Sequence, residues 1–266
     1  INTFKLLICL FISYNLAGFE DKYNEPNRPK RIIFILSDDH RYDYMGFMNS
    51  VEWLRTPNMD RLAKKGAHCA EAFVTTSLCS PSRATILTGL YTHQHTIVDN
   101  QAPNPGTHSY FPQALQAAGY KTAFFGKWHM GDESNKPQPG FDHWESFKGQ
   151  GVYYGPTLNI NGKEVTYDEE VYTTDLLTQH AIDWLNKQDP NQPCFVYLSH
   201  KSVHSAFKPA KRHEGMYEGK KIKLPVSYNQ TKNGDYKKLK WPEWVKNQRI
   251  SWHGVDYMYH KSIDLN

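Results

Sequence analysis

Two short apolar runs that end in polar clusters constrain the fold of this chain most strongly. Residues 32–36 (IIFIL) stop at Ser37-Asp38-Asp39-His40, and Cys194–Leu198 leads into a cluster from His200 to His204. An apolar run without polar alternation predicts a strand buried on both faces, as in a parallel sheet covered by helices. Helical patterns between such runs favour an α/β sandwich with a largely parallel sheet.

Local signals place further elements along the chain. Thr56-Pro57 supplies the cap and first-turn proline of a helix that ends at Gly66. We also predict helices over 81–89, 111–118 and 172–187 and strands over 67–74 and 120–125. Residues 205–249 show no periodicity and predict an elaborated loop region. The chain of 266 residues is long enough for one large domain or two small ones.

Three polar clusters directly follow predicted strands. They are Asp38-Asp39, Gly126-Lys127-Trp128-His129 and the segment from His200 to His204. Ligands of open α/β sheets bind at the carboxyl ends of the strands, so we expect the three clusters to converge on one site. Adjacent carboxylates repel each other, so the aspartate pair either is solvated or binds a cation.

The stretch from Cys79 to Gly89 (CSPSRATILTG) places a thiol at the start of a helix, with Arg83 one turn along. Free N–H groups and the helix dipole favour an anion there. A lone cysteine at such a turn is more often structural. The whole stretch, however, resembles the C-x-P-S-R signature of the type I sulfatases. The resemblance implies that Cys79 is oxidised to formylglycine, whose hydrated aldehyde is the nucleophile, and that Arg83 is catalytic.

A second stretch, Gly119 to His129 (GYKTAFFGKWH), resembles the second signature of the same family. The resemblance implies catalytic roles for Lys127 and His129. It also implies the alkaline-phosphatase-like sandwich fold of that superfamily, here truncated at the C-terminal side of the sheet. Phe125 departs from the family pattern, in which a smaller residue is usual, and this difference concerns packing.

The remaining site residues also follow from the resemblance. Asp38 and Asp39 match the metal-binding pair of sulfatases, which together with residue 79 would hold one Ca²⁺ ion. The segment Ser199 to His204 is similar to the one whose histidine contacts the leaving-group oxygen. This role falls on His204, with His200 as the weaker candidate.

The segments 88–95 and 139–151 are similar to bacterial polysaccharide sulfatases, including enzymes that remove the 6-sulfate of N-acetylglucosamine. This implies a sulfated polysaccharide or oligosaccharide as substrate, with His93, His95 and His200 as weak substrate-binding candidates. The Trp144 region either lines the sugar subsite or packs in the core. Residues 201–249 contain thirteen Lys or Arg and four Asp or Glu, a net charge of +9. Such a segment either attracts an anionic substrate or is a solvated surface.

The organisation of the chain is also predicted. Residues 1–18 have the pattern of a signal peptide, residues 19–30 form a polar linker, and residues 31–266 correspond to the N-terminal part of the catalytic domain. The apolar run in 1–18 is too short to span a bilayer. We therefore expect export to the periplasm or extracellular space, maturation by a formylglycine-generating enzyme, no nucleic-acid partner and no stable membrane insertion.

In the family, a second pair of metal ligands follows a later strand. The 266 residues do not include a match to this pair, so we expect them alone to be inactive. Three alternatives stay open at this point. The first is a phosphodiesterase or phosphonate hydrolase of the same superfamily. The second is a non-catalytic polysaccharide-binding relative or fragment. The third is hydrolysis by a cysteine thiolate.

Overall fold

A six-stranded sheet forms the centre of the fold in a computed structural model, which describes residues 30–130 and 134–223. In chain order, the strands are β1 (Arg31–Leu36), β2 (Lys121–Lys127), β3 (His143–Phe147), β4 (Thr157–Ile160), β5 (Lys163–Thr166) and β6 (Cys194–Ser199). Their spatial order is β1-β6-β2-β3-β4-β5. The pairs β1–β6, β6–β2 and β2–β3 are parallel, whereas β4 and β5 add an antiparallel hairpin at one edge. The predicted, largely parallel sheet is confirmed.

Five α-helices accompany the sheet in the described part of the chain. They are α1 (Pro57–Lys65), α2 (Cys79–Thr88), α3 (Thr92–His95), α4 (Phe111–Ala117) and α5 (Thr173–Asn186). Helix α2 ends where Gly89 adopts a left-handed conformation, with φ of 71°. The four predicted helices are all present, within two residues at each end.

Strands β2 and β6 are buried on both faces, so the sheet has a separate hydrophobic core on each side. Phe124 of β2 and Tyr197 of β6 pack with Ala84 and Leu87 of α2 on one face. On the other face, alternate residues of the same strands pack against Leu177 and other apolar residues of α5. This arrangement is the predicted sandwich, because side chains of a strand point alternately to its two faces.

Strand β1 differs from the expectation that it is buried on both faces. It pairs only with β6 among the described residues, and Ile33 and Ile35 are 51% and 57% exposed. Ile32, Phe34 and Leu36 pack against the α2 side of the core. The apolar run therefore predicted the strand correctly, and among the described strands β1 lies at an edge.

Other expectations are corrected by the structure. The predicted strand over 67–74 is an irregular segment in which Phe73 is 86% exposed, and no strand in the described part of the chain pairs with it. Strands β3, β4 and β5 and the short α3 were not predicted. Asn161-Gly162 in the β4–β5 turn is a sequence signal for a hairpin that would have indicated two of them.

Several sequence predictions concern residues outside the described ranges. These are the signal peptide over 1–18, the linker up to residue 29, and residues 224–249 of the basic segment. Among the described helices, none combines the length and apolarity needed to cross a bilayer.

Candidate active site

The segments that follow β1, β2 and β6 meet at the C-terminal ends of these strands, beside the first turn of α2. In the strand register, Leu36 of β1 and Gly126 of β2 are both level with Ser199 of β6. The Asp38 N–H donates to the Ser202 carbonyl at 2.9 Å, and the Val203 N–H donates to the Asp38 carbonyl at 2.7 Å. The loops after β1 and β6 are thus held together, and the predicted convergence is confirmed.

Cys79 is the first residue of α2, and its thiol lies at the centre of this convergence. The Sγ atom is 3.6 Å from Lys127 Nζ and 3.9 Å from Asp38 Oδ1. Burial raises the pKa of the thiol, and the nearby Lys127 charge only partly offsets this effect. An unmodified Cys79 is therefore largely protonated at neutral pH, which disfavours the cysteine-thiolate hypothesis.

Two buried cations flank the carboxylate of Asp38. Lys127 Nζ forms an ion pair with Asp38 Oδ2, and Arg83 Nη2 lies 3.4 Å from the same oxygen. Burial opposes ionisation of Asp38, but the two cations outweigh it, and the pKa of the carboxyl is lowered. The group is therefore ionised at neutral pH.

Arg83 also fixes the backbone of the site. Its Nη1 donates to the Lys127 carbonyl at 2.6 Å and to Ser199 Oγ at 2.7 Å, and Ser199 Oγ itself donates to the Lys127 carbonyl at 2.8 Å. The arginine thus links α2 to the ends of β2 and β6. Because its hydrogen bonds are buried and charge-assisted, they are strong.

His129 has the properties of a proton acceptor. Its ring is buried, and among the described residues Nδ1 has no hydrogen-bond partner. Burial and the charges of Lys127 and Arg83 lower the pKa of His129 to about 3, so the imidazole is neutral at neutral pH. The backbone has a φ of 45° at His129 and of 53° at Asp39, a left-handed conformation that is uncommon outside glycine and is often found at functional sites.

His204 lies on the more open side of the site. Its Nε2 is 3.6 Å from Asp39 Oδ2, and its Nδ1 is 2.8 Å from the Ser205 carbonyl. Because a carbonyl oxygen only accepts, Nδ1 carries a proton and donates to it. The Tyr153 hydroxyl donates to the His204 carbonyl at 2.5 Å, which fixes the backbone of this residue.

Carboxylate, thiol and imidazole groups around residue 79 lie close enough together to hold a metal ion. Ligand atoms of Asp38, Cys79 and His204 lie within 4.8 Å of one another, and the half-exposed Asp39 carboxylate faces His204. Among the described residues, the hydrogen-bond partner of Asp38 Oδ1 is the thiol of Cys79 at 3.9 Å, so this oxygen is available. Calcium takes about six to eight oxygen ligands, so Asp38 and Asp39 supply part of such a shell.

The weaker substrate-binding candidates lie apart from this centre. His95 is fully buried, accepts from the Ile97 N–H at 3.1 Å and bonds to Thr85 Oγ1 at 3.1 Å. The structure therefore does not support a contact between His95 and the sugar. Trp144, 1% exposed and stacked on Phe124, is a core residue. His93 is exposed and stacks on Tyr91, and its role in binding stays a prediction.

Through its ring, His200 interacts electrostatically with Asp175 rather than with the charged groups around residue 79. Its N–H donates to the Leu36 carbonyl, and its ring Nδ1 is buried without a partner among the described residues. Burial lowers the pKa of His200 to about 4, and the charge of Asp175 opposes the shift. A neutral, partly buried imidazole of this kind fits an internal position better than contact with a charged substrate.

One residue at the site was not predicted from the sequence. Gln150 follows β3, and its Oε1 lies 2.5 Å from Lys127 Nζ. The reason it was missed is that β3 itself was missed, because Glu145 and Ser146 interrupt its apolar pattern. Had β3 been recognised, Gln150 would have been a candidate by its position after a parallel strand.

A cavity of about 340 Å³ opens in front of residue 79. Its lining combines polar groups of the loop after β1 and of α2 with apolar side chains. The lining residues are Leu36, Ser37, Asp38, Asp39, His40, Val74, Ser77, Leu78, Cys79, Ser82, Arg83 and Ile86. The nucleophile position is thus accessible to a small ligand group.

Comparison with known proteins gives a consistent result. Residues 30–240 match the sequence model of the Sulfatase family. The chain is 37% identical over 214 residues to an N-acetylglucosamine-6-O-sulfatase of Bacteroides thetaiotaomicron, covering 79% of this chain and 37% of the relative. It is 34% identical over 196 residues to arylsulfatase J of Mus musculus, covering 65% and 32%. The chain thus spans about a third of the length of these relatives.

Solved structures agree. A structure described as a complex with its substrate D-glucosamine-2-N,6-O-disulfate matches with a TM-score of 0.69 and 32% identity, covering 87% of this chain and 50% of the other. A phosphonate monoester hydrolase of Agrobacterium radiobacter matches with a TM-score of 0.56 and 23% identity, covering 74% and 45%. The second similarity concerns the fold alone.

Proposed function

Because the chain belongs to the sulfatase family, we propose that the protein hydrolyses sulfate esters of a sulfated carbohydrate, with residue 79 as the nucleophile. The observation that carries the proposal is the position of Cys79. It lies at the start of α2, in contact range of Asp38 and Lys127, with Arg83 on the same carboxylate. Buried positive charge beside a nucleophile suits an anionic ester.

The proposed substrate class rests on the relatives. One is named an N-acetylglucosamine-6-O-sulfatase, and one similar structure is described with a disulfated glucosamine. Another relative, 30% identical over 202 residues, is named an ulvan-active sulfatase of Formosa agariphila. We therefore propose a sulfated polysaccharide or oligosaccharide, with an amino sugar carrying a 6-sulfate as the first compound to test.

A formylglycine at position 79 and a bound Ca²⁺ ion complete the proposed site. The thiol of Cys79 stands in for the hydroxyl oxygens of a hydrated formylglycine, and Asp38, Asp39 and residue 79 would hold one Ca²⁺ ion. When bound, the cation would offset charge on the sulfate and make the attacking hydroxyl more acidic. The carboxylate oxygens are the ligand type that calcium prefers.

The residues of the chain then have separate roles. Arg83 and Lys127 orient the hydrate at position 79 and offset its developing charge. One hydroxyl of the hydrate loses its proton to solvent, and its oxygen attacks sulfur while the bond from sulfur to the sugar oxygen breaks. His204 donates a proton to that sugar oxygen. His129 then takes the proton of the second hydroxyl. Breakage of the carbon–oxygen bond to the sulfated oxygen restores the aldehyde and releases sulfate.

The remaining steps before catalysis are also proposals. The pattern of residues 1–18 supports export to the periplasm or extracellular space. The C-x-P-S-R sequence at Cys79 supports recognition by a formylglycine-generating enzyme. Both would precede binding of the sulfated substrate.

The test uses the full-length protein from a host that converts the cysteine. We expect release of inorganic sulfate from N-acetylglucosamine 6-sulfate and from an aryl sulfate, and loss of both activities in Cys79→Ala. Paired aryl sulfate and aryl phosphate assays separate the sulfatase from a phosphonate or phosphodiester hydrolase. Preference for the phosphorus esters would overturn the proposal, and undiminished activity of Cys79→Ala would overturn the nucleophile assignment.

A further inference from the structure

Lys127 is wholly buried, so its ammonium group needs acceptors from the protein. An ammonium group has three N–H donors and no acceptor. Three acceptors surround Nζ: a carboxylate oxygen of Asp38, Oε1 of Gln150 at 2.5 Å, and Sγ of Cys79 at 3.6 Å. Because lysine can only donate, the Gln150 atom that faces it is the oxygen.

The three acceptors differ in what happens to them in a working site. Asp38 is shared with Arg83 and is a proposed cation ligand, and residue 79 is chemically changed on maturation. Gln150 is neutral and is affected by neither event. It is therefore the acceptor that holds Lys127 in place when the other two are engaged.

The loop after β3 is built to present Gln150 at this point. Phe147 at the end of β3 is level with Lys127 in the parallel register, so the loop begins beside the lysine. Gly149 and Gly151 both have left-handed φ values, 51° and 64°. A Cβ added at Gly151 would lie 2.3 Å from the Phe147 ring, so this turn packs closely on that ring.

We propose that Gln150 is a positioning residue, which holds the Lys127 ammonium group against the nucleophile at position 79. The inference rests on the proposed sulfatase function, since Lys127 acts there on the hydrated aldehyde. Loss of the acceptor frees the ammonium to bond elsewhere, and it then stabilises the attacking oxygen less well. The effect falls on the chemical step more than on substrate binding.

The experiment compares Gln150→Leu, Gln150→Glu and a control in the full-length, matured protein. Leucine has a similar size and no acceptor, so we expect kcat to fall about 10- to 100-fold with KM changed less than threefold. Glutamate keeps an acceptor at the same reach, so kcat should recover at least tenfold relative to the leucine variant. KM should rise there, because the carboxylate repels the sulfate.

Gln192→Leu is the matched control. Gln192 is also partly buried and donates through Nε2 to the Gly119 carbonyl at 2.7 Å and to the Pro193 carbonyl at 3.3 Å, beside the starts of β2 and β6. The variant loses these hydrogen bonds at the N-terminal ends of the strands, opposite the site. We expect its kcat to equal that of the wild type. A wild-type kcat in Gln150→Leu, or no recovery in Gln150→Glu, would overturn the positioning role.

Crystal structures of the same variants provide a readout that does not depend on turnover. In the wild type and in Gln150→Glu, Lys127 Nζ should stay next to residue 79, whereas in Gln150→Leu it should move away. An unmoved lysine would overturn the inference. If the wild type releases no sulfate from any ester, the proposed function fails, and the lysine position still decides the role of Gln150.

Discussion

The approach of β2 to β6 at Gly126 can be tested by adding a single methyl group. Gly126 has a φ of 111°, and an added Cβ would lie 1.9 Å from the Ser199 carbonyl oxygen and 2.8 Å from its carbon. Both are backbone atoms of the paired strand, so neither can move without breaking the strand pairing. We therefore expect Gly126→Ala to destabilise the fold strongly.

The expected loss of folding stability in Gly126→Ala has two parts. A non-glycine residue in a left-handed conformation costs about 1–2 kcal/mol, and overpacking adds about 1–3 kcal/mol. Gly162→Ala isolates the first part, because Gly162 has a φ of 92° and nothing lies within 4 Å of its added Cβ. The difference between the two variants should therefore be roughly 2 kcal/mol, a large fraction of a typical stability of about 5–15 kcal/mol.

Urea denaturation of the full-length protein measures this difference. With a slope of about 1–3 kcal/mol per molar urea, Gly126→Ala should unfold at least about 0.7 M below Gly162→Ala. Sulfatase activity should also fall in Gly126→Ala before unfolding, because a shift of Ser199 disturbs the Arg83 and Lys127 contacts. Equal midpoints for the two variants would refute the close approach of the strands.

Three further predictions concern charge and protons. Arg83→Met should lower kcat, measured by steady-state kinetics, about 100- to 1,000-fold, because it removes buried donors beside the nucleophile. The control Arg212→Met should show no such loss, because the ion pair of Arg212 with Asp175 is exposed. His200 has a pKa lowered to about 4, so the unfolded state binds its proton more readily. The stability from a neutral His200 is present above pH 6.5 and is lost as the pH falls towards 4, by up to roughly 3 kcal/mol. His200→Asn should flatten this dependence in urea titrations at pH 7 and pH 4.5, and an unchanged slope would contradict it. Removal of divalent cations with EDTA should abolish sulfate release and lower the melting temperature, and Ca²⁺ should restore both; full activity in EDTA would exclude a required ion.

The sequence predicted the parallel core and most of the site because both depend on local patterns. The apolar runs before Asp38 and His200 marked strands β1 and β6, and polar residues directly after them marked the sheet edge where they converge. The register then brings Asp38, Lys127 and Cys79 within contact range. No long-range information was needed for this part.

The parts that were missed depend on tertiary contacts. Glu145 is a buried carboxylate in β3, held by His143 at 2.8 Å and by His180 of α5 at 2.6 Å. Burial opposes its ionisation, but the two histidines lower the pKa of Glu145. A strand with a charged residue at its centre shows no apolar run, so β3 and the Gln150 loop were not recognised. His180, 35 residues along the chain on α5, is the partner of Glu145 that the local sequence pattern could not reveal.

The strand order also explains why a long cationic side chain is required at position 127. Strand β6 lies between β1 and β2, so Asp38 and Lys127 emerge from strands separated by about 10 Å, twice the usual strand spacing. A short side chain could not span that distance, whereas lysine extends over the end of β6 to reach the Asp38 carboxylate. The residue at the end of β6 must then be small, and Ser199 meets this need while its hydroxyl bonds to Arg83 and to the Lys127 carbonyl. The site therefore depends on the last described strand of the sheet as much as on the motif residues. Its central ion pair joins residues that follow two strands on opposite sides of β6.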